Sequence, residues 1–227
     1  MAYAFETKQT SAAFRAHYAR PVFDLLQDLT GLCDRIYARF SRFGLRLHDL
    51  KLETGDGSVG DVNLRCFLFG FRTTARIFLD RIEVNSAPPD GGSQKHFEVV
   101  EDIVELVSEH SSNVVIRTYE STMGAHGALS NVSVEEYLAR LLATTPKNLG
   151  PLVGAGAAYY YGSMASQHAA SLTIDLSQSV ENGVFIQAKA IYDAQFMGVG
   201  ALAGASRLFL NSAQKELDLA PADPAGG

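Results

Sequence analysis

Apolar residues recur along this chain with two periods, one of three to four residues and one of two. The longer period runs through residues 21–44 and predicts one long amphipathic helix. Pro21 suits the first turn of a helix, and Gly44 suits its end. The apolar stripe of this helix includes Leu25, Leu29, Leu32 and Ile36.

Alternation of apolar and polar residues predicts strands in the rest of the chain. The pattern forms two halves, roughly 45–110 and 113–217, and each half ends as strand, strand, strand and helix. Short turns between successive strands indicate antiparallel pairing. We therefore predict an α+β fold in which an antiparallel sheet curves around helices.

The predicted domain spans residues 21–219. Residues 1–20 precede it as an N-terminal lead segment. Residues 220–227 are rich in Pro, Ala and Gly, with nothing to bury, so we expect them to form a flexible tail.

The stretch LVGAGAAYYYGSM, residues 152–164, resembles a glycine-rich phosphate loop at first sight. A dinucleotide-binding loop needs three spaced glycines, with a helix that opens at the third. Here Tyr159 occupies the third position, and β-prone residues follow it. We therefore predict a strand in which Gly154 and Gly156 allow another backbone, such as that of a crossing helix, to approach closely.

Composition limits the class of protein. The net charge of −6 argues against nucleic acid as a partner. No segment has the roughly 20 apolar residues that cross a bilayer, and the first ten residues lack a signal-peptide pattern. Cys33 and Cys66 are single and widely spaced, which favours a reducing compartment. We expect a cytoplasmic protein without a membrane partner.

Candidate acids and bases are few. The six histidines lack the spacing of metal ligands, so we predict no metal site, and we predict no cofactor. The alternation switches at His48–Asp49, which indicates a β-bulge that could direct both side chains into a site. His126, in a predicted loop over residues 123–131, is the second candidate base.

Charged residues on the third predicted strand, residues 73–86, have a simpler interpretation. Asp80, Arg81 and Glu83 lie close together there. We expect an exposed cross-strand charge ladder rather than a catalytic pair.

Two surfaces are candidates for binding. The helix stripe of Leu25, Leu29, Leu32 and Ile36 must be covered, and we favour the chain's own sheet over a second copy as its cover. These residues stay candidates for an interaction face. Small residues in 152–162 leave a second candidate, a small-molecule pocket under the sheet. Its mouth would carry Tyr159, Tyr160 and Tyr161.

The VEEYL segment at 134–138, the LTIDL segment at 172–176 and the order of elements from about residue 45 to 217 carry a resemblance. They resemble a sporadically distributed prokaryotic protein family of unknown function. The resemblance implies the α+β layout and a bacterial origin, and it implies no catalytic residues.

We predict a non-enzymatic binding or interaction module, alone or as a subunit of a larger assembly. Its expected partner is a protein or a second copy of the chain. The alternative is a small-molecule-binding enzyme or ligand sensor, with His48, Asp49 and the three tyrosines lining the pocket. Alanine at His48 would leave the first function unchanged and abolish the second.

Overall fold

The computed structural model describes residues 2–55, 57–87, 94–141, 156–163 and 167–221. The described residues form ten strands and four α-helices. The strands are β1 Tyr3–Tyr18, β2 Leu50–Glu53, β3 Asn63–Leu68, β4 Thr73–Phe78, β5 Arg81–Ser86, β6 Ile116–Leu129, β7 Ala157–Tyr161, β8 Gln167–Leu176, β9 Gly183–Asp193 and β10 Leu219–Pro221. The helices are α1 Leu29–Phe40, α2 Gln94–His110, α3 Val134–Leu141 and α4 Val199–Glu216.

All ten strands belong to one sheet. Nine of them follow the order β2-β3-β4-β5-β1-β6-β9-β8-β7, and every neighbouring pair in this order is antiparallel. The short β10 pairs in parallel with the first residues of β1. The predicted α+β class with an antiparallel sheet is therefore confirmed.

The predicted lead segment, residues 1–20, is wrong, because β1 occupies the centre of the sheet. It pairs with β6 along one edge and with β5 and β10 along the other. Its alternation is hidden by polar residues in the middle and by a β-bulge between Thr7 and Gln9. The bulge moves the inward-facing positions from odd numbers, such as Phe5, to even numbers, such as Phe14.

The predicted helix over residues 21–44 is also wrong in its length. A 3-10 turn over Phe23–Leu26 precedes α1. Asp28 separates the two, because its carboxylate accepts a hydrogen bond from the Gly31 backbone N–H at 2.9 Å and so caps a new helix. Gly44 ends the helical region with a left-handed φ of 80°.

The third predicted strand, residues 73–86, is a hairpin of β4 and β5 that turns at Leu79 and Asp80. The predicted halves, 45–110 and 113–217, therefore omit β1 and count the β4–β5 hairpin as one strand. The first half comprises β1, α1, the meander β2–β5 and α2. The second comprises β6, α3, β7–β9, α4 and the short β10. Each half begins with a strand that lies at the centre of the sheet.

All four helices pack on one face of the sheet, called the inner face here. Helix α2 lies against β5, β1 and β4, while α4 lies against β6 and β9 and also contacts α2. The apolar residues between the helices and the sheet form one continuous core. Among the described residues, no helix is both long and apolar enough to span a bilayer. Of the predicted flexible tail, Ala220 and Pro221 belong to β10, and residues 222–227 lie outside the described residues.

Candidate binding face

The opposite face of the sheet, called the outer face here, carries none of the described helices. Its centre carries small side chains, since Ala13 and Thr122 are cross-strand partners on β1 and β6. Gly124 belongs to this area and is the partner of Ser11. A Cβ atom at that position would lie 2.6 Å from Ser11 Oγ and 3.1 Å from the Phe185 ring.

A row of charged side chains crosses the outer face, one from each of six neighbouring strands. The strand register places each member directly opposite the next. From the β2 edge inward, this charge row consists of Lys51, Arg65, Arg76, Glu83, Arg15 and Glu120.

The three members of the charge row nearest the centre of the sheet, Glu83, Arg15 and Glu120, all form ion pairs. Glu83 Oε1 lies 3.1 Å from Arg15 Nε and 2.8 Å from Arg81 Nε. Glu120 Oε1 lies 3.5 Å from Arg15 Nη1 and 3.1 Å from Lys189 Nζ. The predicted ladder is therefore a network across four strands, and Glu83 is buried in it, at 7% exposure, rather than exposed.

The other half of the charge row, Lys51, Arg65 and Arg76, is called the basic half here. Arg65 Nη1 donates a hydrogen bond of 2.7 Å to Glu53 Oε1. This bond lowers the pKa of Glu53, and the charges of Arg65 and Arg76 act in the same direction. Lys51 Nζ lies over the Phe67 ring, 5.5 Å from its centroid. Among the three cations, only Arg65 forms an ion pair with a carboxylate in the described chain.

Arg76 is the least satisfied member of the basic half. Its side chain forms no hydrogen bond or ion pair with any residue in the described part of the chain. The Nε atoms of Arg65 and Arg76 are both buried without an acceptor among those residues. A buried donor without an acceptor costs about 1–3 kcal/mol, and like charges directly opposite each other on neighbouring strands add to that cost.

Aromatic side chains lie beside the basic half. The Arg65 guanidinium lies 4.3 Å from the centroid of the Phe67 ring. The Phe71 ring contacts Phe67 at 4.9 Å between centroids, and Phe71 is 65% exposed. The surface next to the cations is therefore partly apolar.

His48 and Asp49 do not form the predicted β-bulge. They end a 3-10 turn, Leu47–Asp49, that precedes β2. His48 is 70% exposed, and its Nε2 lies 3.4 Å from Asp49 Oδ1. The other Asp49 oxygen accepts a hydrogen bond from the Arg46 backbone N–H at 3.1 Å. The pair therefore holds a surface turn.

His126 lies within β6 on the outer face, so the predicted loop over residues 123–131 is wrong up to Leu129. Its Nδ1 lies 2.9 Å from Ser177 Oγ, and its ring stacks on Phe185 at 4.5 Å between centroids. Burial lowers the pKa of His126. Ser177 Oγ also accepts hydrogen bonds from the backbone N–H groups of Ser179 and Val180, so this contact organises the β8–β9 turn.

The three tyrosines lie on β7, the last strand of the sheet order. Tyr159 and Tyr161 point to the inner side, and Tyr160 points outward. Because β2 and β7 are the two end strands in that order, the predicted pocket lined by His48, Asp49 and the tyrosines is not formed.

The predicted strand over residues 152–162 is described only from Gly156, and Gly154 lies outside the described residues. A Cβ atom on Gly156 would lie 2.7 Å from the Ile174 carbonyl oxygen. The close approach at Gly156 is therefore made by the neighbouring strand β8, and not by a crossing helix.

The predicted interaction face is part of the chain's own core. Leu25, Leu32 and Ile36 are buried, and Leu29 is half-buried. The stripe packs on the chain's own sheet, as favoured, so these four residues offer no exposed binding surface.

A groove of about 440 Å³ between α1 and α2 is a further basic surface, lined by Arg35, Arg39 and Arg42 among others. Most of the positive charge in this groove is paired with carboxylates of α2. Arg39 lies 3.3 Å from both Asp102 and Glu105 and 3.4 Å from Glu109, and Arg42 also pairs with Asp102. This network joins two helices and leaves little charge for a ligand.

A buried chain of polar side chains under α2 was not predicted from the sequence. Thr73 Oγ1 lies 2.9 Å from Ser86 Oγ, which lies 2.8 Å from His96 Nδ1. The His96 Nε2 atom has no partner among the described residues, and burial lowers the pKa of His96 to about 4. The available signal was that His96 lies four residues before Val100, on the apolar stripe of α2.

Within the described ranges, no three His, Cys, Asp or Glu side chains come together as a metal site. No protein-family model matches the chain, and a search of curated proteins gives no significant match. The resemblance to a prokaryotic family stays a prediction.

Proposed function

We propose that this chain is a non-enzymatic binding module that holds a protein partner on the outer face of its sheet. The observation that carries the proposal is the charge row, because it ends in three cations of which only Arg65 is ion-paired, on a face without a described helix. Uncompensated charge on a folded surface is typical of electrostatic recognition of a partner.

The candidate acids and bases support binding over catalysis. His48 and Asp49 serve a surface turn, and His126 serves the turn between β8 and β9. His96 is buried and held neutral. The alternative function, a small-molecule enzyme or sensor, loses support because His48 and Asp49 precede β2 while the tyrosines lie on β7, and these strands are at opposite ends of the sheet order.

The cysteines bear on the compartment of this function. Cys33 and Cys66 are both free thiols, and burial raises the pKa of Cys66 to about 12. We propose that binding takes place in a reducing compartment such as the cytoplasm.

Site-specific photocrosslinking in cells tests the proposed face. A benzophenone side chain at Thr74 or Thr122, both on the outer face, should yield discrete adducts with one protein. The same group at Asn211 or Ser212, exposed on α4, is the matched control and should yield none. Adducts from the α4 positions alone would contradict the proposal. An adduct with a second copy of the chain, together with a dimer mass in solution, would identify self-association.

A separate experiment tests the proposal that the function is non-enzymatic. His48→Ala and Asp49→Ala should leave function in the native cell unchanged while the protein stays folded. Loss of function in the folded His48→Ala protein would favour the enzyme instead.

A further inference from the structure

We propose that the basic half of the charge row is an oxyanion subsite that takes a carboxylate or phosphoryl group of the partner protein. This inference rests on the proposed function, because it names the chemistry that the outer face recognises. Lys51, Arg65 and Arg76 together carry three positive charges, and Glu53 supplies their single ion pair within the described chain.

The geometry of the two arginines suits an oxyanion. Arg65 and Arg76 are direct cross-strand partners on β3 and β4, so their Cβ atoms are about 5 Å apart. Guanidinium groups at this spacing can donate to two oxygens of one carboxylate or phosphate, which is the arrangement that arginine forms most strongly. Each also has a buried Nε–H without an acceptor in the described chain, so neither guanidinium has its full set of hydrogen bonds within the fold.

The surroundings favour a discrete oxyanion over a polyanion. Glu53 and Glu83 lie on either side of the two arginines, and the whole chain carries a net charge of −6. Both features repel a continuous phosphate backbone such as that of a nucleic acid. One or two oxyanions on a protein segment meet less repulsion.

The aromatic neighbours specify what stands beside the oxyanion. Phe71 is exposed and contacts Phe67, whose ring lies against the Arg65 guanidinium. An apolar residue adjacent to the acidic one would cover Phe71. The inferred ligand is therefore a protein segment in which a glutamate, aspartate or phosphorylated residue stands next to an apolar one.

Fluorescence anisotropy with labelled peptides and the full chain tests the subsite. The probes are a twelve-residue peptide of alternating Glu and Leu, the same peptide with phosphoserine for Glu, and the same peptide with Gln for Glu. We expect saturable binding of the first or second peptide and none of the third. Tighter binding of the Glu peptide points to carboxylates as the source, and tighter binding of the phosphoserine peptide points to a phosphorylated partner.

Variants locate the site. Arg76→Gln should weaken peptide binding by about tenfold or more, because it removes charge-assisted hydrogen bonds. Arg35→Gln makes the same change on α1, behind the sheet, and should bind like the unmodified protein. Circular dichroism checks that both variants are folded. Arg65→Lys keeps the charge but removes the planar fork, and its partial loss of affinity would separate recognition by geometry from recognition by charge.

Three results would overturn the subsite: equal binding of the Gln peptide, equal effects of Arg76→Gln and Arg35→Gln, or tighter binding of an oligothymidylate than of either acidic peptide. If the peptides fail while Thr74 and Thr122 still crosslink to one protein, the subsite is wrong and the proposed function stands. If both experiments fail, the outer face is not the binding surface.

Discussion

Gly127 shows how closely the two central strands approach each other. A Cβ atom at this position would overlap the Phe5 ring and would lie 2.9 Å from the Glu6 carbonyl oxygen. The neighbouring bulge between Thr7 and Gln9 fixes the β1 backbone here, so the crowding cannot be relieved by a small shift of one side chain. The position therefore excludes any side chain.

Gly127→Ala should lower the free energy of unfolding by roughly 1–3 kcal/mol, because it overpacks the core between β1 and β6. Gly204→Ala is the control, since a Cβ atom there has no neighbour within 4 Å. In the interior of α4 it should instead raise stability by up to about 1 kcal/mol. Urea denaturation measures both. Equal effects of the two substitutions would show that crowding at Gly127 is unimportant.

Arg76 offers a second test at the scale of one residue. Arg76→Thr should raise the free energy of unfolding by about 0.2–1 kcal/mol, because it removes a like charge opposite Arg65 and introduces a residue that favours strands. Lys189→Thr, which breaks the ion pair with Glu120, should not stabilise the protein. A less stable Arg76→Thr protein, measured by thermal unfolding, would mean that Arg76 is needed for the fold.

Among the elements, α1 and α2 are joined by charge as well as by apolar packing. Asp102 on α2 is largely buried and forms ion pairs with Arg39 of α1 and with Arg42 of the 3-10 turn Ser41–Phe43 that follows α1. Glu105 and Glu109 contact Arg39 from more exposed positions. The buried carboxylate is therefore the main polar contact between these helices.

Asp102→Ala should destabilise the protein by about 1–3 kcal/mol, because two guanidinium groups lose their shared buried acceptor. Glu105→Ala removes an exposed partner of the same Arg39 and should cost less than about 1 kcal/mol. Chemical denaturation compares the two variants. Equal losses of stability in the two variants would show that the burial of Asp102 does not strengthen its contacts.

Local patterns in the sequence predict most elements but not their arrangement. The apolar stripes of α2 and α4 indicate helices, and the alternation in β8 and β9 indicates strands. β1 was missed because its bulge breaks the alternation, and the β4–β5 hairpin was missed because its turn, Leu79–Asp80, contains neither glycine nor proline. The charge row could not be found from the sequence, since its members come from six strands whose order is set by tertiary pairing.

At the scale of the whole molecule, the two halves share one sheet through the β1–β6 pair. Core residues from both halves form a single cluster, and α2 and α4 contact each other across it. We expect the halves to unfold together. A local event in the core, such as protonation of His96, should therefore change the stability of the entire protein.

His96 makes this stability depend on pH. Its pKa in the folded protein is about 4, and its ordinary value is about 6.5. Between these values the unfolded chain binds a proton that the folded protein does not, so stability falls as the pH falls from about 6.5 to 4, by roughly 3 kcal/mol in total.

Urea denaturation across this pH range measures the effect. His96→Gln should flatten the decline in stability, and His48→Gln, which changes an exposed histidine, should leave the decline unchanged. An unchanged decline in the His96→Gln protein would assign the effect to other groups.

The position of β1 also has a consequence for how the protein is made. The strands that flank β1 in the sheet order, β5 and β6, are both encoded after it, and β6 begins about 100 residues downstream. At ribosomal rates of about 5–20 residues per second, the nascent β1 waits roughly 5–20 s for β6, with both backbone edges unpaired at first. The polar residues in the middle of β1 would then reduce its aggregation with other nascent chains.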